Sequence, residues 1–460
     1  RLAELTPEHS LHAGRFTSLG IDLGYEVDRP DGAPVWVQVD RIPYLGPGGR
    51  PQGVVAFISD VTDERREQEV AVHLAGLGCG DGVCVMEPNG DLIEDILNRI
   101  PPERAEDVIV FSPSDVERPI ALNLLEYDPR YPEQKGFVIN EMIGIFDKLY
   151  DLKATGGPMF EQYMRNALLL IMDDPETGST LMEVPKVLAD ETFRKMKLSR
   201  CKNSTVVDFW RKEAEKAGGD AALANIVPYI TSKLTPFIAN DMMRPIIGQQ
   251  NSSFNMRDLM DSKKILMVDL PKGAIGETNA YLLGMIVVGK ILMAALSRTD
   301  IPQEERKDFY LYIDEFQNFT TNSICQILSE ARKYALSLNI AHQYIGQLTK
   351  NNDTQVKDAI FGNVGTLVSF KVGSEDAEFL TKDFGPVFNQ FDLVNVGRGG
   401  FIKLLVDGST TRPFSFQTVW PLMGTYREGL SKKIRELSRY KFGQDRNIVD
   451  MEIQQRTKGV

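Results

Sequence analysis

Two adjacent carboxylates, Asp314 and Glu315, follow five apolar residues, Phe309 to Ile313, in a stretch that continues to Leu348. An apolar run of this length reads as a strand covered on both faces, and open α/β sheets place their ligands at the carboxyl ends of such strands. One carboxylate there suits a Mg²⁺ ion, held directly or through water; the next suits orienting and deprotonating an attacking water. Asp314 takes the metal role and Glu315 the water role, and the chemistry is nucleotide hydrolysis. A helix is predicted from about Ser323 to Ser337. The segment LNIAHQYIGQL, Leu338 to Leu348, then brings Gln343 to the edge of the same sheet, where a glutamine can sense a γ-phosphate. An isolated Asp-Glu pair more often just ends a strand. Here the ordered series of apolar strand, pair, helix, Arg332 and Gln343 favours the chemical reading.

The elements that must position these residues are legible on either side. DGVCVME, the helix DLIEDILNRI and DVIVFSP form a predicted β-α-β unit from Asp81 onward. Leu122 to Gly248 is mostly helical in pattern, with breaks at DDPETGS and KAGGD. Strands resume with KKILMVDL, Lys263 to Leu270, and after the Asp314 strand with TLVSFKV, Thr366 to Val372, and GFIKLLV, Gly400 to Val406. The longest apolar stretch, Tyr281 to Ser297, is shorter than the ~20 residues of a membrane span and holds Lys290 in its middle, so it is expected to be a buried helix. The tail SKKIRELSRYKFGQDR is a basic helix, expected to present a solvated face.

The first seventy residues differ from the rest. GAPVWVQVDRIPYL and QGVVAFISDVTDERREQE alternate around the turn GPGGRP, which predicts an antiparallel hairpin. The ending AFISDVTDERREQE resembles the last strand and exit helix of a PAS sensory domain, whose remaining strands have no counterpart here.

Composition sets the outer bounds. With 460 residues, 42% apolar and 25% charged, the chain has the make-up of a soluble globular protein of two or three domains. Cys79, Cys84, Cys201 and Cys325 lack metal-like spacing and point to a reducing cytoplasm. No signal peptide is evident at the start. A net charge of −12 argues against a surface coated in nucleic acid, because non-specific DNA affinity comes from Lys and Arg; a ring with a basic lumen can still be acidic overall.

YIDEFQNF, SEARKY, HQYIGQL and FGNVGTLVSFKVGSEDAEFL together resemble the ATPase domain of TraG/TraD-like type IV secretion and conjugation coupling proteins, in the FtsK/HerA group of DNA-pumping motors. The similarity runs from about Gly80 to Thr425. It implies a RecA-like, mostly parallel sheet with helices on both faces, ATP and Mg²⁺ as cofactors, and a homo-hexamer acting on DNA with secretion-system or relaxase partners, at the cytoplasmic face of the inner membrane. It places Asp314 and Glu315 at the Walker B positions and Gln343 at the sensor, and makes Arg332 the arginine finger offered to a neighbouring subunit. It divides the chain into core segments 80–173 and 250–425, an inserted all-α subdomain 174–249, a tail 426–460 and the PAS-like piece 1–70. The turn Glu87 to Asp91 matches the family's second-strand motif in position only, and Asp91 is expected to cap the next helix. Lys371 stands where the family often has Arg, as a candidate phosphate contact. Lys272 and Lys350, in polar connections near core strands, are the candidate DNA contacts of a central channel.

The motif G-x-x-x-x-G-K-[ST], whose backbone amides cradle phosphates, occurs nowhere in the sequence. GLGCGDG, Gly76 to Gly82, lacks the Lys and the hydroxyl residue, and Gly289-Lys290 is followed by Ile. The core's first strand, loop and first helix are therefore expected to be missing. Two function classes follow: a DNA-translocating motor subunit deficient in nucleotide binding, and a PAS-linked signalling protein whose α/β part is a non-hydrolysing binding module.

Overall fold

Three strands precede residue 80: β1 (Leu23–Asp28), β2 (Pro34–Val39) and β3 (Val55–Ile58). The computed structural model describes the backbone of these strands, and residues 80–460 apart from 156, 216–218, 322, 350–352, 398, 407, 419–424 and 459–460. The central strands are the apolar runs of the sequence. β4 (Gly82–Glu87), β5 (Val108–Phe111), β6 (Ile265–Asp269) and β7 (Phe309–Ile313) are buried at every position, and β8 (Leu336–His342) at nearly every one, as strands with helices on both faces must be. β9 (Thr366–Ser369), β10 (Gly400–Lys403), the small hairpin β11 (Leu405–Val406) and β12 (Ser409–Thr410), and β13 (Phe414–Thr418) complete the set. The main sheet has eleven strands in the order β2-β1-β13-β10-β9-β3-β8-β7-β4-β6-β5. From β9 to β5 every pairing is parallel, and the β10, β13, β1 and β2 end is antiparallel.

The structure differs from the sequence reading at four places. The hairpin expected around GPGGRP does not pair β2 with β3: β2 pairs antiparallel with β1, Leu23 opposite Val39. β3 lies parallel between β8 and β9, Val55 opposite both Asn339 and Thr366. An unbroken apolar run such as Val54–Ile58 suits a strand covered on both faces better than a half-exposed hairpin. The place expected to be empty beside β8 is therefore filled, although the phosphate-loop sequence remains absent. Secondly, β4 and β5 are not neighbours, because β6 lies between them. Thirdly, the helix expected to reach Ser337 stops at Glu330; a 3₁₀ turn, Ala331–Tyr334, and a left-handed Ala335 (φ 53°) turn the chain into β8. Fourthly, the basic tail does more than present the expected solvated face: beside the exposed Lys432, Lys433 and Lys441, the helix Leu430–Phe442, followed by Arg446–Lys458, packs its other face on the protein. Ser431, Ile434 and Ser438 are buried, and Ser438 Oγ accepts the Val110 amide of edge strand β5 at 2.8 Å. Covering an edge strand in this way protects it from pairing with other chains.

The stretch Tyr281 to Ser297 lies in the helix Glu277–Leu296, apolar and long enough to cross a membrane but 78% buried within the protein. It passes so close to the chain beyond Asp314 that a side chain at Gly284 would meet the Phe319 ring at 2.2 Å. Its Lys290 donates to the Glu126 carbonyl at 3.3 Å, and burial lowers its pKa to about 8. Between β5 and β6 stand the helices Glu133–Tyr150 and Gly157–Asp173, then the helices of 183–247, of which Gly219–Ile238 is the longest. The tail reaches these: Arg456 donates to Glu183 Oε1 at 2.8 Å and to the Gly248 carbonyl.

Candidate active site

Parallel pairing aligns the carboxyl ends of β6, β4, β7 and β8, and each delivers a polar residue to one edge. Asp269 ends β6 opposite Glu87, which ends β4. Asp314 leaves β7 with its amide bonded to the Met86 carbonyl at 3.0 Å, and Gln343 follows His342 on β8. The polar signal at a strand end is therefore repeated across four adjacent strands, of which the sequence reading singled out two.

Glu315 is the most constrained of these groups. Its backbone is left-handed (φ 49°, ψ 42°), a conformation that costs a non-glycine residue about 1 kcal/mol and persists only where its surroundings fix it. The fixing contacts are present. Its amide donates to Asp314 Oδ1 at 2.7 Å; Gln317 Nε2 donates to Oε2 and Gln343 Nε2 to Oε1, each at 2.6 Å. Gln343 is held in turn by Gln347, whose Oε1 accepts its amide at 3.1 Å. The structure thus brings Asp314, Glu315 and Gln343 together, as their order in the sequence suggested, and adds Gln317, which was missed although it stands two residues from Glu315.

Glu87 was carried forward in position only, and it proves to be the most perturbed carboxyl of the edge. It is 1% exposed, and burial first, then the neighbouring Asp314 charge, raise its pKa to about 7 against two opposing hydrogen bonds from the amides of Asn89 and Gly90. Asp91 does not cap the following helix; Gly90 does, with φ 97°, and Asp91 is the first helical residue. Asp269 is paired with Arg435 of the tail helix at 2.7 Å, and its other oxygen is buried without a partner. A tail arginine bonded at the site edge had no sequence signal, since nothing in the spacing links positions 269 and 435.

The remaining candidates fall elsewhere. Arg332 is exposed in the 3₁₀ turn before β8, and Ala335 beside it accepts the amide of Phe309, the first residue of β7. Arg332 thus lies at the amino end of the sheet, opposite Glu315, and does not join the cluster within one chain. Lys272 opens a short helix, its amide bonded to the Pro88 carbonyl at 3.0 Å, so it borders the Glu87 turn. Lys371 is exposed just beyond β9. Lys350 lies outside the described residues.

Among the described residues no group of three or more His, Cys, Asp or Glu is placed to enclose a metal ion. Half-buried Asp314, a hard oxygen donor at an open sheet edge, fits a Mg²⁺ ion that takes one or two carboxylates and completes its octahedron with phosphate oxygens and water.

The largely parallel sheet with helices on both faces, carrying a strand-end Asp-Glu pair that faces a glutamine, is a RecA-like fold. Residues 308–388 match the family described as the TraM recognition site of TraD and TraG. The conjugative coupling protein TrwB, lacking its first 70 residues and unbound, superposes with a TM-score of 0.58 at 14% identity, over 90% of this chain and 91% of that one. TrwB with ADP and Mg²⁺ gives 0.57 at 13% identity over 91% and 99%, and TrwB with a non-hydrolysable GTP analogue gives 0.57 at 14% over 82% and 88%. No curated protein matches the sequence. Residues 308–388 thus resemble the TraD and TraG family, and the fold of the chain is similar to that of TrwB.

Proposed function

We propose that the chain is a subunit of a DNA-translocating motor of a conjugation or type IV secretion system, carrying the hydrolytic half of the site without a phosphate loop of its own. The observation that carries this reading is the Glu315–Gln343 hydrogen bond at the shared carboxyl edge of β7 and β8. In the working site Asp314 holds Mg²⁺, which neutralises phosphate charge when bound. Glu315 takes the proton of the attacking water, and Gln343 moves from Glu315 to the γ-phosphate. Each Glu315 oxygen accepts one glutamine side-chain amide, which holds the base in place and leaves further lone pairs for a water. Arg332, on the far edge, serves the site of a neighbouring subunit in a ring. The sequence holds no G-x-x-x-x-G-K-[ST] motif to supply a glycine nest and its lysine in front of Asp314 and Glu315. Titration calorimetry of Mg-ATP into this chain is expected to give no saturation below the millimolar range; micromolar affinity would overturn the nucleotide deficiency.

A further inference from the structure

Positive charge is dense in two parts of this acidic chain: the tail helix, where Arg435 and Arg439 are ion-paired, and a segment of the helical insert. Between Arg194 and Lys212 there are seven Lys or Arg residues and one carboxylate, Asp208, in a molecule of net charge −12. Two of the seven are structural. Lys197 is fully buried and donates to the carbonyls of Asp174 and Gly178, each at 2.6 Å; Arg194 is 3% exposed, bonded to the Val187 carbonyl and Glu215 and stacked over Trp210 at 5.7 Å. That Arg194 contact holds the helix Glu191–Arg200 against the π-helical turn Phe209–Ala214, and residues 201–203 connect the two legs.

The other five, Lys195, Arg200, Lys202, Arg211 and Lys212, are exposed on these legs and their connection. Among the described residues the side chains of Lys202 and Arg211 have no partner. Lys195 and Lys212 make exposed i,i+4 pairs with Glu191 and Asp208, and Arg200 reaches Asp174 only at 3.5 Å. Such exposed pairs are weak and readily exchanged for a phosphate. The exposed residues between the cations are Ser199, Asn203, Ser204 and Thr205, hydrogen-bonding groups of the kind that contact phosphate oxygens, and one carboxylate, Asp208, which is paired with Lys212. A lipid surface would call instead for exposed Leu, Phe or Trp beside the cations. None of the exposed large apolar residues falls between 191 and 215.

We propose that this basic hairpin of the helical insert, Lys195 to Lys212, is a DNA-backbone contact of the protein. It binds phosphates without reading bases, as suits a strand that moves past it. The proposal rests on the motor reading, and it puts DNA on the insert in addition to any channel contact from Lys272.

The test is fluorescence polarisation of labelled single-stranded and duplex oligonucleotides with the full chain, as a function of log salt concentration. The triple variant Arg200→Ala, Lys202→Ala, Arg211→Ala should bind about 10-fold or more weakly at low salt, with a slope shallower by roughly 2 to 3. The tail pair Lys432→Ala, Lys433→Ala should match the unchanged protein. If the unchanged chain binds DNA and the triple variant binds it equally with the same slope, the surface is refuted and the motor reading stands. If the unchanged chain binds no DNA, both fall. Binding to phosphatidylserine vesicles, lost in the triple variant, without DNA binding would make the hairpin a membrane contact and refute the proposal.

Discussion

Glu87 connects the chemistry of the edge to the stability of the fold. Its pKa is raised, so the folded chain holds the proton more tightly than the unfolded one, and stability falls as pH rises from the ordinary glutamate value towards about 7. The shift corresponds to about 3 kcal/mol at most. Glu87→Gln should flatten the denaturant-midpoint profile between pH 5 and 7; an unchanged slope would show that other groups set it. Asp314, Glu315 and Gln343 were legible because strand-end carboxylates and a sensor amide have a required order in the chain. Gln317 and Arg435 were not, since their partners are set by a left-handed turn and by a tail helix crossing to β6.

Among the elements, the apolar runs were read as strands correctly because burial on both faces leaves an unbroken signature, as in FYLYI and ILMVD. Neighbour relations were hidden: nothing in DVIVFSP says that β6 will separate it from β4, and nothing in VVAFIS distinguishes a hairpin arm from a parallel core strand. The helix before β8 was overextended because SEARKYALS has good helix formers to its end, whereas the chain tightens to a 3₁₀ turn after Glu330 and turns away at the left-handed Ala335. The tail joins the β5 edge to the helical insert, and its far anchor is testable. Arg456→Met leaves fully buried Glu183 without its charge partner, which should cost about 3–5 kcal/mol in chemical denaturation. Lys432→Ala, on the exposed face of the same tail, should cost nothing measurable, and equal effects from the two would remove the anchoring role.

For the whole molecule, the position of β3 sets where a phosphate loop would attach. Ile58 pairs with His342, so the chain leaving β3 emerges at the carboxyl edge one residue from Gln343, where a phosphate loop would face Glu315. Asp314, Glu315 and Gln343 are proposed as a hydrolytic half that a phosphate loop at this place completes. The direct measurement is the Mg-ATPase rate of a chain with a G-x-x-x-x-G-K-T loop grafted after Ile58. The rate per subunit should rise with protein concentration, fall by about 100-fold or more in Glu315→Gln, and recover in part when Glu315→Gln and Arg332→Ala subunits are mixed. A grafted chain that binds Mg-ATP by calorimetry yet does not hydrolyse it, or hydrolyses it equally well with Glu315→Gln, would contradict the claim.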